Sequence, residues 1–295
     1  MRNKGIGGTG AAVIMGEGFQ TPYQLWLEKL DLIDVDVQNE FVEWGNRHEE
    51  TIAKKVVENH PELHFEFPGE TYEHPEHDWV IGTPDGLIDN DGIWECKTTS
   101  EYAKDKYGEE ETDEIPRAYI IQVQWYMFLT NRKYAIVSVL IGGNKYREYR
   151  VERNDMLIQQ IFAACKSFWF DNIKAEVEPA LTDRDGDVLK QRYPEDKEPL
   201  IDSTPELDEL ALTWKKLNAE ISAKDAEREL AKNKIMAILK DAAGVRGEWG
   251  SIRFAKRAGG IDYKKLVDDI GVEDDKVEQY RRDSYRSLNP YFKRG

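Results

Sequence analysis

The 295-residue chain has only two cysteines, Cys96 and Cys165. Two thiols cannot supply the four thiolates of a typical iron–sulfur cluster or of an all-cysteine zinc site. No stretch of about 18 apolar residues occurs, and no apolar N-terminal run marks a signal peptide. Positive charge is short as well: 41 basic residues stand against 57 acidic ones, a formal net charge of -16. That balance excludes wholesale coating of nucleic acid or of an anionic membrane, so any contact with DNA must be local. These absences fit a reducing, cytoplasmic setting.

The length is sufficient for a full core and suggests one large domain, or one domain with an extension. Residues 21 to 30 and 40 to 59 read as helices. In the second, Phe41, Gly45, His48, Ile52 and Val56 recur at helical spacing and define an inward face. Residues 79 to 99 read as strand, turn, strand, followed by an acidic stretch at 109 to 114 and a third helix opening on Pro116. Residues 133 to 152 read as a hairpin turning at Gly142-Gly143-Asn144, and a fourth helix runs from Asp155 to about residue 173.

Residues 175 to 205 carry four prolines and many acids, and read as a linker or irregular lid. Beyond them, 206 to 241 is one long helix in which Leu207, Leu210, Trp214, Leu217 and Ile221 keep a 3-4 spacing until Lys224 and Arg228 break it. Packing of that stripe on its own domain is favoured over packing on a neighbouring subunit. A hairpin near 245 to 256, a helix near 262 to 270 and a basic aromatic tail complete the chain. The tail bears Arg281, Arg282, Tyr285, Arg286, Tyr291, Lys293 and Arg294, which either contact DNA by charge and stacking or form a solvated end. The expected domains are therefore 1–174, a linker at 175–205, and a helical extension at 206–295.

The stretch IGTPDGLIDNDGIWECKTTS, residues 81 to 100, carries the most chemistry. Strand side chains alternate, so Glu95 and Lys97 share one face while Trp94 and Cys96 take the other. A three-residue loop of Asn90, Asp91 and Gly92 sets Asp85 opposite Lys97 on the face of Glu95. A two-residue loop sends it to the other face. Two carboxylates and an ammonium in one place suit Mg2+, which takes oxygen ligands and keeps waters, and a lysine beside such a water can orient or deprotonate it. An isolated acid-x-Lys pair is usually solvated surface charge. Here Ile93, Trp94 and Cys96 make the strand apolar enough to be buried, and buried charges need partners or metals.

Asp85 followed by Glu95-Cys96-Lys97 resembles the PD-(D/E)xK nuclease signature. More of the chain resembles one branch, the phage-type recombination exonucleases of the YqaJ and lambda exonuclease kind. The matching pieces are Gly5-Ile6-Gly7-Gly8, Thr21-Pro22-Tyr23-Gln24-Leu25-Trp26, Trp44-Gly45-Asn46-Arg47-His48-Glu49, Thr83-Pro84-Asp85-Gly86, Glu95-Cys96-Lys97 and Gln122-Val123-Gln124-Trp125-Tyr126, in family order over roughly residues 1 to 170. The resemblance implies a restriction-endonuclease-like α/β core, a mixed central sheet flanked by helices, with a mainly helical C-terminal extension. It implies Glu49 as the helix-borne acid, Asp85 and Glu95 as central metal ligands with the main-chain carbonyl of Cys96, and Lys97 as the catalytic lysine. Gln122 is implied at the active site holding substrate, with Tyr126 one turn on as a second DNA-contacting residue; a core aromatic is the other reading of Tyr126. The glycine-rich bend at residues 5 to 10 can form an anion nest, with Arg2 adding a charged fork and Thr9 a hydroxyl donor, or be a flexible start of no consequence. The resemblance implies a pocket for a 5' phosphate with Arg2 as its arginine, although Gly10 and a shortened segment from Gly16 to Gln20 depart from the family pattern. His48 is an alternative helix-borne ligand, but helix histidines are more often packed or solvated.

The resemblance further implies a Mg2+-dependent exonuclease, with Mn2+ substituting, that degrades linear double-stranded DNA 5'-to-3'. It would leave 3' strands for a single-strand annealing protein, and act as a ring-like homotrimer in the bacterial host cell without membrane attachment. Within the same fold, a RecB-type or restriction-type endonuclease is the alternative. A catalytically idle DNA-binding module is the alternative from another class. A glycine-rich nucleotide binder at residues 5 to 10 is weaker, since no Gly-Lys-Ser/Thr follows.

Overall fold

The computed structural model describes residues 4–33, 40–110, 112–197, 200–256, 259–260 and 262–280. They form two compact units, Met1–Tyr193 and Pro194–Gly295. The first unit is built on a five-stranded sheet in the order β1-β4-β5-β6-β7, from β1 (Phe65–Glu66), β4 (Gly86–Ile88), β5 (Gly92–Thr99), β6 (Tyr134–Ile141) and β7 (Lys145–Glu152). The sheet is mixed, as expected: β5 and β6 run parallel, and the other pairs are antiparallel. A separate two-stranded ribbon joins β2 (Tyr72–His74) to β3 (His77–Gly82).

Side-chain alternation along β5 divides the core. Ile93 enters the larger apolar cluster, with α1 (Gly8–Ile14), α2 (Pro22–Lys29), α4 (Arg117–Thr130) and α5 (Asp155–Ser167) contributing Ala11, Leu27, Ile121 and Ile161. Trp94 enters a smaller cluster on the other face with Ile52 and Val56 of α3 (Glu40–Asn59), and with Ile88 and Ile136. The parallel β5–β6 pair requires a crossover, which α4 supplies. The hairpin between β6 and β7 turns at Gly142 and Gly143, both with positive φ, 60° and 78°. Two-sided burial of β5 is what allows one strand to carry both a wall of core and a polar site.

The register of the hairpin differs from the expected one. The turn between β4 and β5 is Asp89-Asn90-Asp91, because Ile88 pairs with Gly92 and Gly86 with Trp94. Continuing that ladder sets Asp85 across from Glu95 and not Lys97, on the expected face. Gly92 is a strand residue for a packing reason: a Cβ there would lie 2.5 Å from the Tyr134 ring. Asp89 takes the left-handed conformation instead (φ 44°), which aspartate tolerates better than most residues. Arg132 holds the turn, its Nη1 donating to the carbonyls of Ile88, Asp89 and Gly92 at 3.1, 2.9 and 2.8 Å.

The first compact unit runs on to Tyr193, past the expected boundary at 174/175. The fourth helix continues past α5 as a π-helical segment, Phe168–Ile173. The supposed linker then contains α6 (Gly186–Arg192), fastened to the first unit. Buried Asp185 accepts from Thr182 N at 2.6 Å and from the Thr21 hydroxyl, and Arg184 donates to Gln20 O at 3.0 Å. Arg192 lies over the rings of Tyr23 and Trp26 at 5.7 and 5.6 Å. The prolines and acids in this stretch suggested solvent, while its few long-range clasps lie in single residues.

In the second unit α7 (Pro205–Leu239) starts at Thr204, whose hydroxyl accepts from Leu207 N at 3.3 Å. The expected burial of its stripe on its own unit is not seen among the described residues: Leu207, Leu210, Leu217 and Ile221 are all exposed. A hairpin, β8 (Gly244–Gly247) with β9 (Gly250–Arg253), and two short helices, α8 (Tyr263–Ile270) and α9 (Asp274–Glu278), follow. The basic aromatic tail from Arg281 to Arg294 lies outside the described residues.

Candidate active site

The site assembles at β5 from both faces of the sheet. Glu95, only 2% exposed, accepts at Oε1 from Lys97 Nζ at 2.6 Å and from Gln122 Nε2 at 2.7 Å. Its other oxygen, Oε2, is buried and has no hydrogen-bond partner. An unpaired buried carboxylate oxygen is costly, and natural sites keep one where something else is to be bound. Asp85 Oδ2 accepts from the main-chain N–H of Cys96 at 2.8 Å, which anchors the residue before β4 to the middle of β5.

Glu49 comes from α3, and it shares a helix face with Ile52 and Val56 by 3-4 spacing. Those two are buried against Trp94, so Glu49 projects one turn earlier toward the acids. Burial raises its carboxyl above the ordinary range, and the charge of Asp85 adds to that. Asp85 is raised by burial against the opposing pull of Lys97. Glu95 is pushed up to about 8, first by burial and then by Asp85. Lys97 is held above its ordinary value because Glu95 and Asp85 outweigh its burial. Three carboxyls thus face one ammonium, and the site is short of positive charge.

From the other side, Gln122 and Tyr126 lie one turn apart on α4, and Gln122 Nε2 also reaches Tyr126 OH at 3.3 Å. Tyr126, expected among the DNA-contacting residues, is only 6% exposed and packs beneath Gln122. Two glycines make room for it: a Cβ on Gly8 would lie 2.8 Å from both Gln122 Cγ and the Tyr126 ring, and one on Gly82 would lie 2.6 Å from that ring. The glycine-rich start of the chain therefore has a packing role beside the site. Ile6 runs alongside β3 with Ile6 N to Trp79 O at 2.7 Å, and Trp125 Nε1 donates to both Ile6 O and Ile81 O at 3.1 Å. Thr9 is exposed on α1, and Arg2 lies outside the described residues.

His48 stacks on Trp44, with ring centroids 5.7 Å apart. The Cys96 thiol is raised by burial and by Asp85, and behaves as a protonated filler in the Trp94 cluster. Among the described residues, no three histidine, cysteine or acidic side chains already stand as a closed metal cluster. The fit to a cation rests instead on the orphaned Glu95 oxygen and on the charge imbalance. An open concavity of about 600 Å³ along β7, lined by Thr112, Arg150 and Arg153 among others, contains none of these residues.

Sequence reasoning missed Arg132, which holds the turn, and Tyr119, whose ring lies 5.0 Å from Lys97 Nζ. Arg132 carries no local signal, whereas Tyr119 stands three residues before Gln122, on its helix face.

Residues 1–133 match the YqaJ-like viral recombinase domain. The uncharacterized protein YqaJ of Bacillus subtilis (strain 168) is 33% identical over 287 residues, covering 94% of this chain and 89% of that protein. The chain belongs to the YqaJ family. Among solved structures, an alkaline exonuclease from Laribacter hongkongensis is 19% identical with a TM-score of 0.48, over 60% of this chain and 91% of that one. A phage-related exonuclease from Haemophilus somnus 129PT is 15% identical with a TM-score of 0.47, over 58% and 96%. The identity to YqaJ extends past the first unit of this family member, so the C-terminal unit is shared with that relative.

Proposed function

We propose that this YqaJ-family chain is a Mg2+-dependent exonuclease acting on linear double-stranded DNA, with Mn2+ able to substitute. The observation that carries the reading is the buried, partnerless Oε2 of Glu95 among three carboxyls and one lysine. Glu49, Asp85, Glu95 and the main-chain carbonyl of Cys96 would hold the ion, an all-oxygen set that suits a hard cation. When bound, it supplies Lewis-acid polarisation of the scissile phosphate and a more acidic attacking water. Lys97 holds a proton at Nζ beside that position, to orient the water and to meet charge developing on the phosphate. Gln122 fixes the Glu95 carboxylate through Oε1, and Tyr126 supports Gln122 from below.

The family's description as a viral recombinase domain supports DNA as substrate. The 5'-to-3' direction, delivery of 3' strands to an annealing protein, a ring-like homotrimer and a place in the bacterial cytoplasm belong to the same reading, on the motif resemblance. No described helix is long and apolar enough to cross a membrane. The test is digestion of linear and covalently closed circular duplexes, each with and without Mg2+. Mg2+-dependent loss of the linear form alone is expected, faster from 5'-phosphorylated ends than from 5' hydroxyls. Equal cutting of circles makes it an endonuclease, and binding of DNA without cleavage, with Mg2+ or without it, makes it an idle module.

A further inference from the structure

Lys97 is gripped from two sides, and only one of them is acidic. Glu95 Oε1 accepts from Nζ at 2.6 Å, while the face of Tyr119 lies 5.0 Å away at its centroid. Tyr119 sits in the first turn of α4, one turn before Gln122. Burial raises the Tyr107 hydroxyl, and the side chains of Tyr119 and Thr99 lie near enough to act on it as well. Thr99 is two residues beyond Lys97, on the same face of β5. The contacts close a circuit from β5 out through Lys97 and Tyr119, and back through Tyr107 and Thr99. Tyr107 is itself a fixed post: it is buried, and its ring packs 5.9 Å from that of Tyr149.

We propose that Tyr119 is a positioning residue of the nuclease reaction, whose ring face holds the Lys97 ammonium toward the place where scissile phosphate and attacking water meet. The role rests on the nuclease reading above. A ring attracts an ammonium through its quadrupole without offering an oxygen ligand. A further carboxylate at this place would deepen the shortage of positive charge and compete for the cation. An aliphatic side chain would fill the space but leave Lys97 free to swing between Glu95 and Asp85. The aromatic face therefore answers the two demands of this site together.

The experiment is a series at position 119, read as kcat and KM on linear duplex with Mg2+. Tyr119→Phe and Tyr119→Trp should keep kcat within about threefold, since both retain a cation-binding face. Tyr119→Leu should lower kcat about tenfold with little change in KM, the pattern of an interaction used in the transition state. Phenylalanine analogues with one, two and three ring fluorines keep the shape while draining the face, and should lower kcat in steps. As a readout that needs no activity, the ε-methylene of Lys97 in lysine-labelled protein should show an upfield ring-current shift that Tyr119→Leu removes. A flat kcat across the fluorinated series, or a rise in KM alone, overturns the role. Absence of cleavage by the wild type overturns the nuclease reading and this role with it, and the lysine signal tells that failure apart from a missing contact.

Discussion

Lys97 and Glu95 are two residues apart on one strand, yet Nζ reaches Oε1 at 2.6 Å and is, among the described residues, the one ammonium set against three raised carboxyls. If the lysine works on the water and phosphate, its loss should appear in turnover, because affinity for DNA comes from many distributed phosphate contacts. Lys97→Ala should lower kcat by about a hundredfold to ten-thousandfold, the usual span for an acid–base group. Dissociation constants for duplex in Ca2+ should move far less. A loss of affinity that matches the loss of rate would make Lys97 a phosphate anchor.

Burial raises the Glu95 carboxyl first and the charge of Asp85 raises it further, so the two acids repel one another in the absence of a cation. Asp85→Asn removes one repelling charge, so its thermal midpoint should equal or exceed that of the wild type. Mg2+ at about a hundred times its dissociation constant should stabilise the wild type by about 2.7 kcal/mol through binding linkage, and leave Asp85→Asn unmoved. Cleavage should be lost in the same variant. Retention of the Mg2+-dependent shift in Asp85→Asn would remove this residue from the ion's ligands.

How much of this was legible in advance depended on range. Alternation along 93 to 97 placed Glu95 and Lys97 on one face, since that period is local, whereas Glu49 lay beside the inward face of its helix and was singled out by the motif resemblance. The partner of Asp85 was misjudged because Gly92 looks like a turn residue, and its packing against Tyr134 is a contact across the sheet. The clasp of Asp185 on Thr21 spans most of the first unit, so composition near 185 spoke only of solvent. Tyr126 could be read either as a substrate contact beside Gln122 or as a core aromatic, and its enclosure by Gly8 and Gly82, from two other segments, is a long-range fact.

Arg132 offers a test of how the hairpin is set. One nitrogen serves three carbonyls at the β4–β5 turn, and the residue follows α4, which carries Gln122. Arg132→Met keeps the stem and removes the donors. Loss of a charged donor to several partly buried carbonyls should cost about 1 to 3 kcal/mol in urea unfolding. Activity should fall in parallel, since the turn sets Asp85 against Glu95. Unchanged stability in Arg132→Met would mean that the turn holds itself.

On the opposite face of β5 a polar chain leads from the surface toward the site. His60 Nε2 lies 2.5 Å from Glu148 Oε2, and Tyr146 OH donates to Glu148 Oε1 at 2.5 Å. Ser138 joins Tyr146 at 3.0 Å and accepts from Trp94 Nε1 at 2.8 Å, directly behind Glu95. Burial alone would lower His60, but the hydrogen bond and charge of Glu148, with Glu62 adding to them, raise it above its ordinary value. A histidine raised in the folded state binds its proton more tightly there than in the unfolded chain, where it titrates near about 6.5. Its contribution is therefore complete below that value, and is lost as pH rises through the folded-state pKa. The gap in unfolding midpoint between wild type and His60→Asn should narrow as pH climbs from about 5.5 to about 8.5. Glu148→Gln should flatten that dependence, because it removes the charge that raises His60. A gap that stays constant across the range, or widens with pH, would show that the pair is held neutral and that His60 acts only as a hydrogen-bond donor at the end of α3.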